Sequence, residues 1–188
     1  MPMNYKLSAS NIAWDAVNDL NVYKKLRESG FTGIEIAPTR FIADNPYNPE
    51  NLKVVSEMAY AIRNVSNLAI ASMQSIWYGR QESLSGCIND KNFLLDYTKK
   101  AIDFSAAIRC PHIVFGSPKN RIFPANGKVQ DAVNFFSECA SHASLRGIVI
   151  GIEANPVAYG TNFLNTTAQV IDFIKLINSP SIREIGRA

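Results

Sequence analysis

Residues 148–156 read Ile148-Val149-Ile150-Gly151-Ile152-Glu153-Ala154-Asn155-Pro156. A run of isoleucine, valine and glycine with no polar residue suits a strand covered on both faces, as in a parallel sheet. The run ends abruptly on a carboxylate. Just upstream, Val129–Arg146 sets Val129, Ala132, Val133, Phe136, Ala140 and Ala143 at three- and four-residue steps, which predicts a helix with one buried stripe. A helix leading into a fully buried strand is the unit from which parallel α/β proteins are built.

The same unit recurs along the chain. Strands are predicted at Lys6–Ser10, Gly33–Ala37, Ala69–Ser75, His112–Phe115 and Ile148–Glu153, with a sixth beginning at Ile182. Their mean spacing is about 35 residues, the length of a strand–loop–helix–loop unit. Between them, Lys91–Ile108 carries a helical stripe through Leu94, Tyr97, Ala101, Ile102, Ser105 and Ile108. Asp19–Ser29 predicts a helix capped by Gly30. Thr166-Thr167-Ala168-Gln169 predicts a capping box opening a helix through Val170, Ile171, Phe173, Ile174 and Ile177. No low-complexity linker interrupts the pattern, so residues 1–188 are expected to form one α/β domain.

An open doubly wound sheet and a closed (β/α)8 barrel both fit this alternation. The open sheet favours a glycine-rich phosphate loop after its first strand. Here that strand runs into Ser8-Ala9-Ser10-Asn11-Ile12-Ala13-Trp14, and neither GxGxxG nor GxxxxGK[ST] occurs in the chain. Polar and aromatic residues gather after each strand instead, as the mouth of a barrel requires. Eight units at the observed spacing need roughly 280 residues, against ~250 for a typical barrel. The 188 residues are therefore expected to hold a partial (β/α)8 TIM barrel: five units and the start of a sixth strand, C-terminally incomplete.

Composition narrows the function. With 47% hydrophobic and 19% charged residues, disorder is excluded. No stretch approaches the ~20 apolar residues of a membrane span, and Met1–Lys6 lacks a secretory pattern. A scattered net charge of +3 implies neither nucleic acid nor a membrane surface as partner. Cys87, Cys110 and Cys139 are odd in number and lack CxxC spacing. Cys110 precedes a strand and Cys139 sits at an apolar helical position, so buried free thiols are expected, which implies a reducing, cytoplasmic setting.

The candidate mouth residues are Trp14; Glu35 and Arg40; Gln74, Trp77 and Tyr78; Ser117, Lys119, Asn120 and Arg121; and Glu153 with Asn155. Glu153 stands at the end of an apolar strand, where desolvating a carboxylate is costly unless a metal, a cation or hydrogen-bond donors compensate. It is either a metal ligand or acid–base group, or the partner of a neighbouring Lys or Arg. Glu35 either acts directly or orients a loop or substrate. Trp14, Trp77 and Tyr78 offer faces for sugar rings or pack in the core. Gly116-Ser117-Pro118-Lys119-Asn120-Arg121 suits a phosphate or acidic sugar, or is a solvated loop. His112 begins its strand and His142 lies within a helix, so neither is expected at the mouth.

Three stretches together resemble one family: Phe31-Thr32-Gly33-Ile34-Glu35-Ile36-Ala37-Pro38, His112-Ile113-Val114-Phe115-Gly116-Ser117-Pro118 and Gly151-Ile152-Glu153-Ala154-Asn155-Pro156. They resemble the xylose isomerase-like barrel superfamily, and within it the sugar phosphate isomerases and epimerases. The resemblance covers Lys6 to Ser181. It implies a divalent cation (Mn²⁺, Mg²⁺ or Zn²⁺), with Glu153 both metal ligand and catalytic carboxylate. It also implies further ligands: an Asp ending the sixth strand, a His after the seventh and a Glu ending the eighth. The chemistry implied is proton transfer next to a sugar carbonyl, on a small sugar or sugar phosphate.

After Ser181 only Ile182-Arg183-Glu184-Ile185-Gly186-Arg187-Ala188 remains, so on the family plan one ligand and one of two catalytic carboxylates are present. The resemblance thus implies an isomerase or epimerase that is weak or inactive as this chain. Alternatives are a non-catalytic sugar-binding or self-associating module and a metal-dependent nuclease of the apurinic-site endonuclease type. An unclosed sheet leaves two strand edges, so a homo-oligomer is expected.

Overall fold

The computed structural model describes residues 6–186; the first five residues, read above for a signal pattern, and the last two lie outside them. The strands are β1 (Ser8–Ser10), β2 (Gly33–Ile36), β3 (Ala69–Met73), β4 (His112–Phe115), β5 (Val149–Glu153) and β6 (Ile182–Ile185). The helices are α1 (Asp19–Glu28), α2 (Leu52–Ser66), α3 (Ile88–Ala107), α4 (Val129–Arg146) and α5 (Thr167–Ile177). All six strands are parallel and lie side by side in chain order. A doubly wound sheet reverses its order at a switch point. This sheet does not, and its order is that of a barrel wall. The fold is a partial TIM-barrel-like α/β structure, in which β1 and β6 each pair on one side among the described residues.

Strand alternation separates two faces. Ile34, Ile36, Ile70, Met73, Ile113, Phe115, Ile150 and Ile152 are buried, and with Val55, Leu94, Phe136, Val170 and Phe173 of the helices they form the core. The concave face carries Ser8, Ser10, Gly33, Glu35, Gly151 and Glu153 together with the apolar Val114 and Ile185. Two of its glycines are closely packed. A Cβ on Gly33 would stand 3.0 Å from that of Ala71, and one on Gly151 would collide with Ile185 Cγ2.

Several boundaries differ from expectation. β1 starts at Ser8 rather than Lys6, and β3 stops at Met73 rather than Ser75. The register slips within the strand, where Ala71 is passed over between Ile70 and Ser72, and beyond Met73 the backbone leaves the strand as Ser75 turns to a φ of 58°. α3 begins at Ile88 rather than Lys91. The residue pattern sets no bounds for α2, which ends on left-handed Asn67. α4 matches its predicted span, but Val129 in its first turn is 47% exposed, and Phe135 and Cys139 join the buried stripe instead. The Thr166–Gln169 capping box forms as predicted. Cys110 and Cys139 are buried, and burial pushes the Cys110 thiol up to about 11. Cys87 is exposed in the loop just before α3. Among the described residues no helix is long and apolar enough to cross a membrane.

Candidate functional site

The C-terminal ends of β3, β4 and β5 converge on a cleft of about 240 Å³, whose walls include Gln74, Gly116, Ser117, Glu153, Asn155 and Tyr159. Strand register brings them together: Phe115 pairs with Ile152, which sets the loop after β4 beside Glu153. Gly116 adjoins the carboxylate so closely that a Cβ there would lie 2.9 Å from Glu153 Oε2. The space beside the carboxylate thus exists because residue 116 has no side chain.

Arg121 supports this site from below. Its side chain is 0% exposed, Nη2 donates to the Glu153 carbonyl oxygen at 2.8 Å, and the guanidinium lies 6.0 Å from the Phe115 ring centroid. Burial lowers its pKa to about 10, against the opposing pull of the Glu153 charge. Its Nε and Nη1 and the Asn155 Oδ1 are buried without a hydrogen-bond partner.

A polar chain crosses the other strand ends. Gln74 Nε2 donates to Ser10 Oγ at 3.0 Å, and Ser75 Oγ donates to Gln74 Oε1 at 2.7 Å. Ser72 Oγ donates to Glu35 Oε2 at 2.8 Å, next to β1. Glu35 is therefore held on the concave face and is not among the residues lining the Glu153 cleft.

Other sequence candidates lie elsewhere. Arg40 donates to the carbonyls of Asn11 (2.6 Å) and Trp14 (2.8 Å) and pairs with Asp19 at 2.5 Å. Trp14 Nε1 also donates to Asp19, and its ring meets Tyr23 edge-on. Both residues are engaged in fastening the loop after β1 to α1. Trp77 is 2% exposed, packs edge-on against Phe115 and Phe135, and donates to Thr98 Oγ1 at 2.9 Å. It packs in the core and reaches only the wall of a neighbouring cleft. Tyr78 is exposed, Lys119 is exposed, and Asn120 is buried beneath its loop. His112 is exposed at the opposite end of its strand, and His142 pairs with Asp103 on the outer helices.

Ser75, Tyr159 and Arg80 are site residues not singled out from the sequence. Ser75 and Tyr159 follow β3 and β5 closely, so extending each strand-end search by a few residues reaches them. Arg80 enters only through the folding of its loop, described below. Among the described residues no three His, Cys, Asp or Glu side chains stand together as a metal-binding group. The neutral amides and hydroxyls around Glu153 do not make up the four-ligand cation site that the resemblance implies.

Parallel strands in sequential order, helices on one face and polar residues at the strand ends define a TIM-barrel-type protein. Residues 23–183 match the family described as xylose isomerase-like TIM barrel, and the chain belongs to that family. No curated protein matches it by sequence. Solved structures share the fold. An L-ribulose 3-epimerase superposes with a TM-score of 0.72 at 16% identity, covering 94% of this chain and 58% of its own. A 3-keto-D-glucoside 4-epimerase from E. coli gives 0.69 at 17% identity, covering 97% and 68%. A D-allulose 3-epimerase from Methylomonas sp. gives 0.69 at 18%, covering 96% and 62%. The chain thus spans roughly three fifths to two thirds of the length of these proteins.

Proposed function

We propose that the Glu153 cleft binds a small sugar or sugar phosphate and that Glu153 moves the proton on the carbon beside its carbonyl. This is sugar isomerase or epimerase chemistry, weak in this chain. The observation that carries the reading is the strand-end carboxylate standing over side-chain-free Gly116, with room beside it for a substrate carbon. The names of the structural relatives point to the same class of reaction.

In this reading the C–H bond breaks toward a Glu153 carboxylate oxygen, and its electron pair moves onto the carbonyl oxygen as an enediolate forms. Ser117 and Tyr159 hydroxyls are neutral donors on the walls. They stabilise that developing charge less than a cation would. Glu153 returns the proton from the same face. That suffices for exchange with solvent or transfer to the neighbouring carbon, whereas inversion needs a second group on the opposite face. A divalent ion would supply carbonyl polarisation, but the described residues offer it one carboxylate here, and no step is assigned to it.

The test is deuterium incorporation from D2O at the carbon next to the carbonyl, followed by proton NMR with D-ribulose, D-fructose and their phosphates. Exchange abolished by Glu153→Gln in a folded variant is the expected result. Sugar binding with no exchange would instead support a non-catalytic sugar-binding module. No binding by any of the four sugars would refute the reading.

A further inference from the structure

A second cleft, of about 560 Å³, adjoins the first and shares Ser75, Ser117 and Pro118 with it. It lies between the loops after β3 and β4, which Asn120 stitches together. Its Nδ2 donates to the carbonyls of Arg80 (3.0 Å) and Glu82 (2.9 Å), and its own carbonyl accepts from Leu84 N at 2.8 Å. This wall is built before any ligand arrives.

Two cations line it, Arg80 and Lys119, and no carboxylate does; Arg80, with Tyr97, also lines a neighbouring cleft that includes Asp44. Most salt-bridged cations of the described residues sit on helices, and neither Arg80 nor Lys119 takes part in a salt bridge. Arg80 is held instead by aromatic faces, 5.3 Å from the Tyr97 centroid and 5.7 Å from that of Phe93. Its Nε is buried without a partner. The adjacent acid, Glu82, folds back to accept from Gln81 N at 3.1 Å. A guanidinium fixed by rings rather than by a carboxylate keeps its charge available to an incoming anion.

We propose that this second cleft takes the anionic group of the substrate, a phosphate ester or a carboxylate, so that the site selects acidic sugars over neutral ones. The inference rests on the sugar reading of the Glu153 cleft and adds its substrate class. A molecule bridging the saddle at Ser75 and Ser117 places its carbonyl end at Glu153 and its charge at Arg80 and Lys119. Both central residues are small, and both hold left-handed backbone angles. The two clefts together have the size of ordinary small-molecule sites, ~300–1,000 Å³.

The test is calorimetric titration at low salt with D-ribulose, D-ribulose 5-phosphate, D-gluconate and inorganic phosphate. An acidic sugar is expected to bind about tenfold tighter than D-ribulose, and added salt is expected to erode the difference. The tighter of the two acidic sugars identifies phosphate or carboxylate as the natural group. Arg80→Met, Lys119→Met and Lys119→Glu, checked for folding by circular dichroism, are expected to bring the affinity for the acidic sugar toward that for D-ribulose. Lys119 is exposed, so its variants remain informative if Arg80→Met misfolds. Equal affinity for acidic and neutral sugars overturns the inference while leaving the sugar reading intact, as does a preference that survives the Lys119 variants. Inorganic phosphate binding that Lys119→Glu removes, with no sugar bound at all, supports the anion cleft and refutes the sugar reading.

Discussion

Replacing Arg121 by methionine removes a guanidinium that the fold seals from solvent, while keeping much of its length and apolar volume. Burial lowers this arginine from its ordinary value to about 10. That fall corresponds to a cost of roughly 3 kcal/mol for keeping the charge in the folded state. The sign follows from linkage: the cost applies in full below about 10 and is relieved only as pH climbs toward the unfolded value. Against it stand the charge-assisted bond to the Glu153 carbonyl, worth about 1.5–3 kcal/mol, and the Phe115 face, worth about 0.5–2 kcal/mol. These nearly cancel. Arg121→Met is therefore expected to stay within about 1–2 kcal/mol of the parent, whereas Arg121→Ala, which opens a cavity, loses about 3 kcal/mol or more. Urea denaturation followed by circular dichroism measures both. The functional cost has the opposite order of priority: either variant frees the end of β5, so Glu153-dependent exchange falls even where stability does not. A loss above about 4 kcal/mol in Arg121→Met would refute this reasoning, since it would mean the buried charge is fully compensated.

Gly116→Ala tests the space beside the carboxylate. Its Cβ forces Glu153 Oε2 aside, which a flexible side chain tolerates, so exchange should fall at least tenfold while the urea midpoint moves little. Burial raises the pKa of Asp103, but hydrogen bonds from Arg146 and His142 outweigh it and hold the carboxyl below its usual 3.8. Its contribution to stability is present above that value and lost as pH falls through the lower folded one. Asp103→Asn should thus destabilise the protein at pH 6 and narrow the gap between pH 6 and pH 3 urea midpoints. We propose that the one-sided edges of β1 and β6 pair between copies of the chain. Light scattering over a concentration series should show mass rising above that of a monomer, and a monomer at every concentration would rule the pairing out.

Periodicity made most of the scaffold legible. The β4 and α4 spans coincide with their predicted bounds, and the α5 capping box forms where Thr166 and Gln169 announce it. These are local signals: side-chain alternation, helical spacing and capping depend on neighbours a few residues away. Where the local signal was weak no bounds were set, as in α2, and at the end of β3 the reading ran two residues past Met73, up to left-handed Ser75.

The site divides differently. Glu153 and Asn155 were readable because a polar residue ending an apolar strand is conspicuous in one dimension, and the parallel order places every such strand end at one rim. Their partners were not readable. Only the folded chain turns Trp77 into the core and commits Arg40 to the loop after β1. Likewise, only the fold buries Arg121 under Glu153 and leaves Arg80 on aromatic faces at the wall of a second cleft. The sequence by itself determined the α/β alternation, the family resemblance and the strand-end carboxylate. Tertiary structure alone decided which charges are spent and which face the cleft, because burial and charge pairing join residues tens of positions apart, and no spacing rule encodes them.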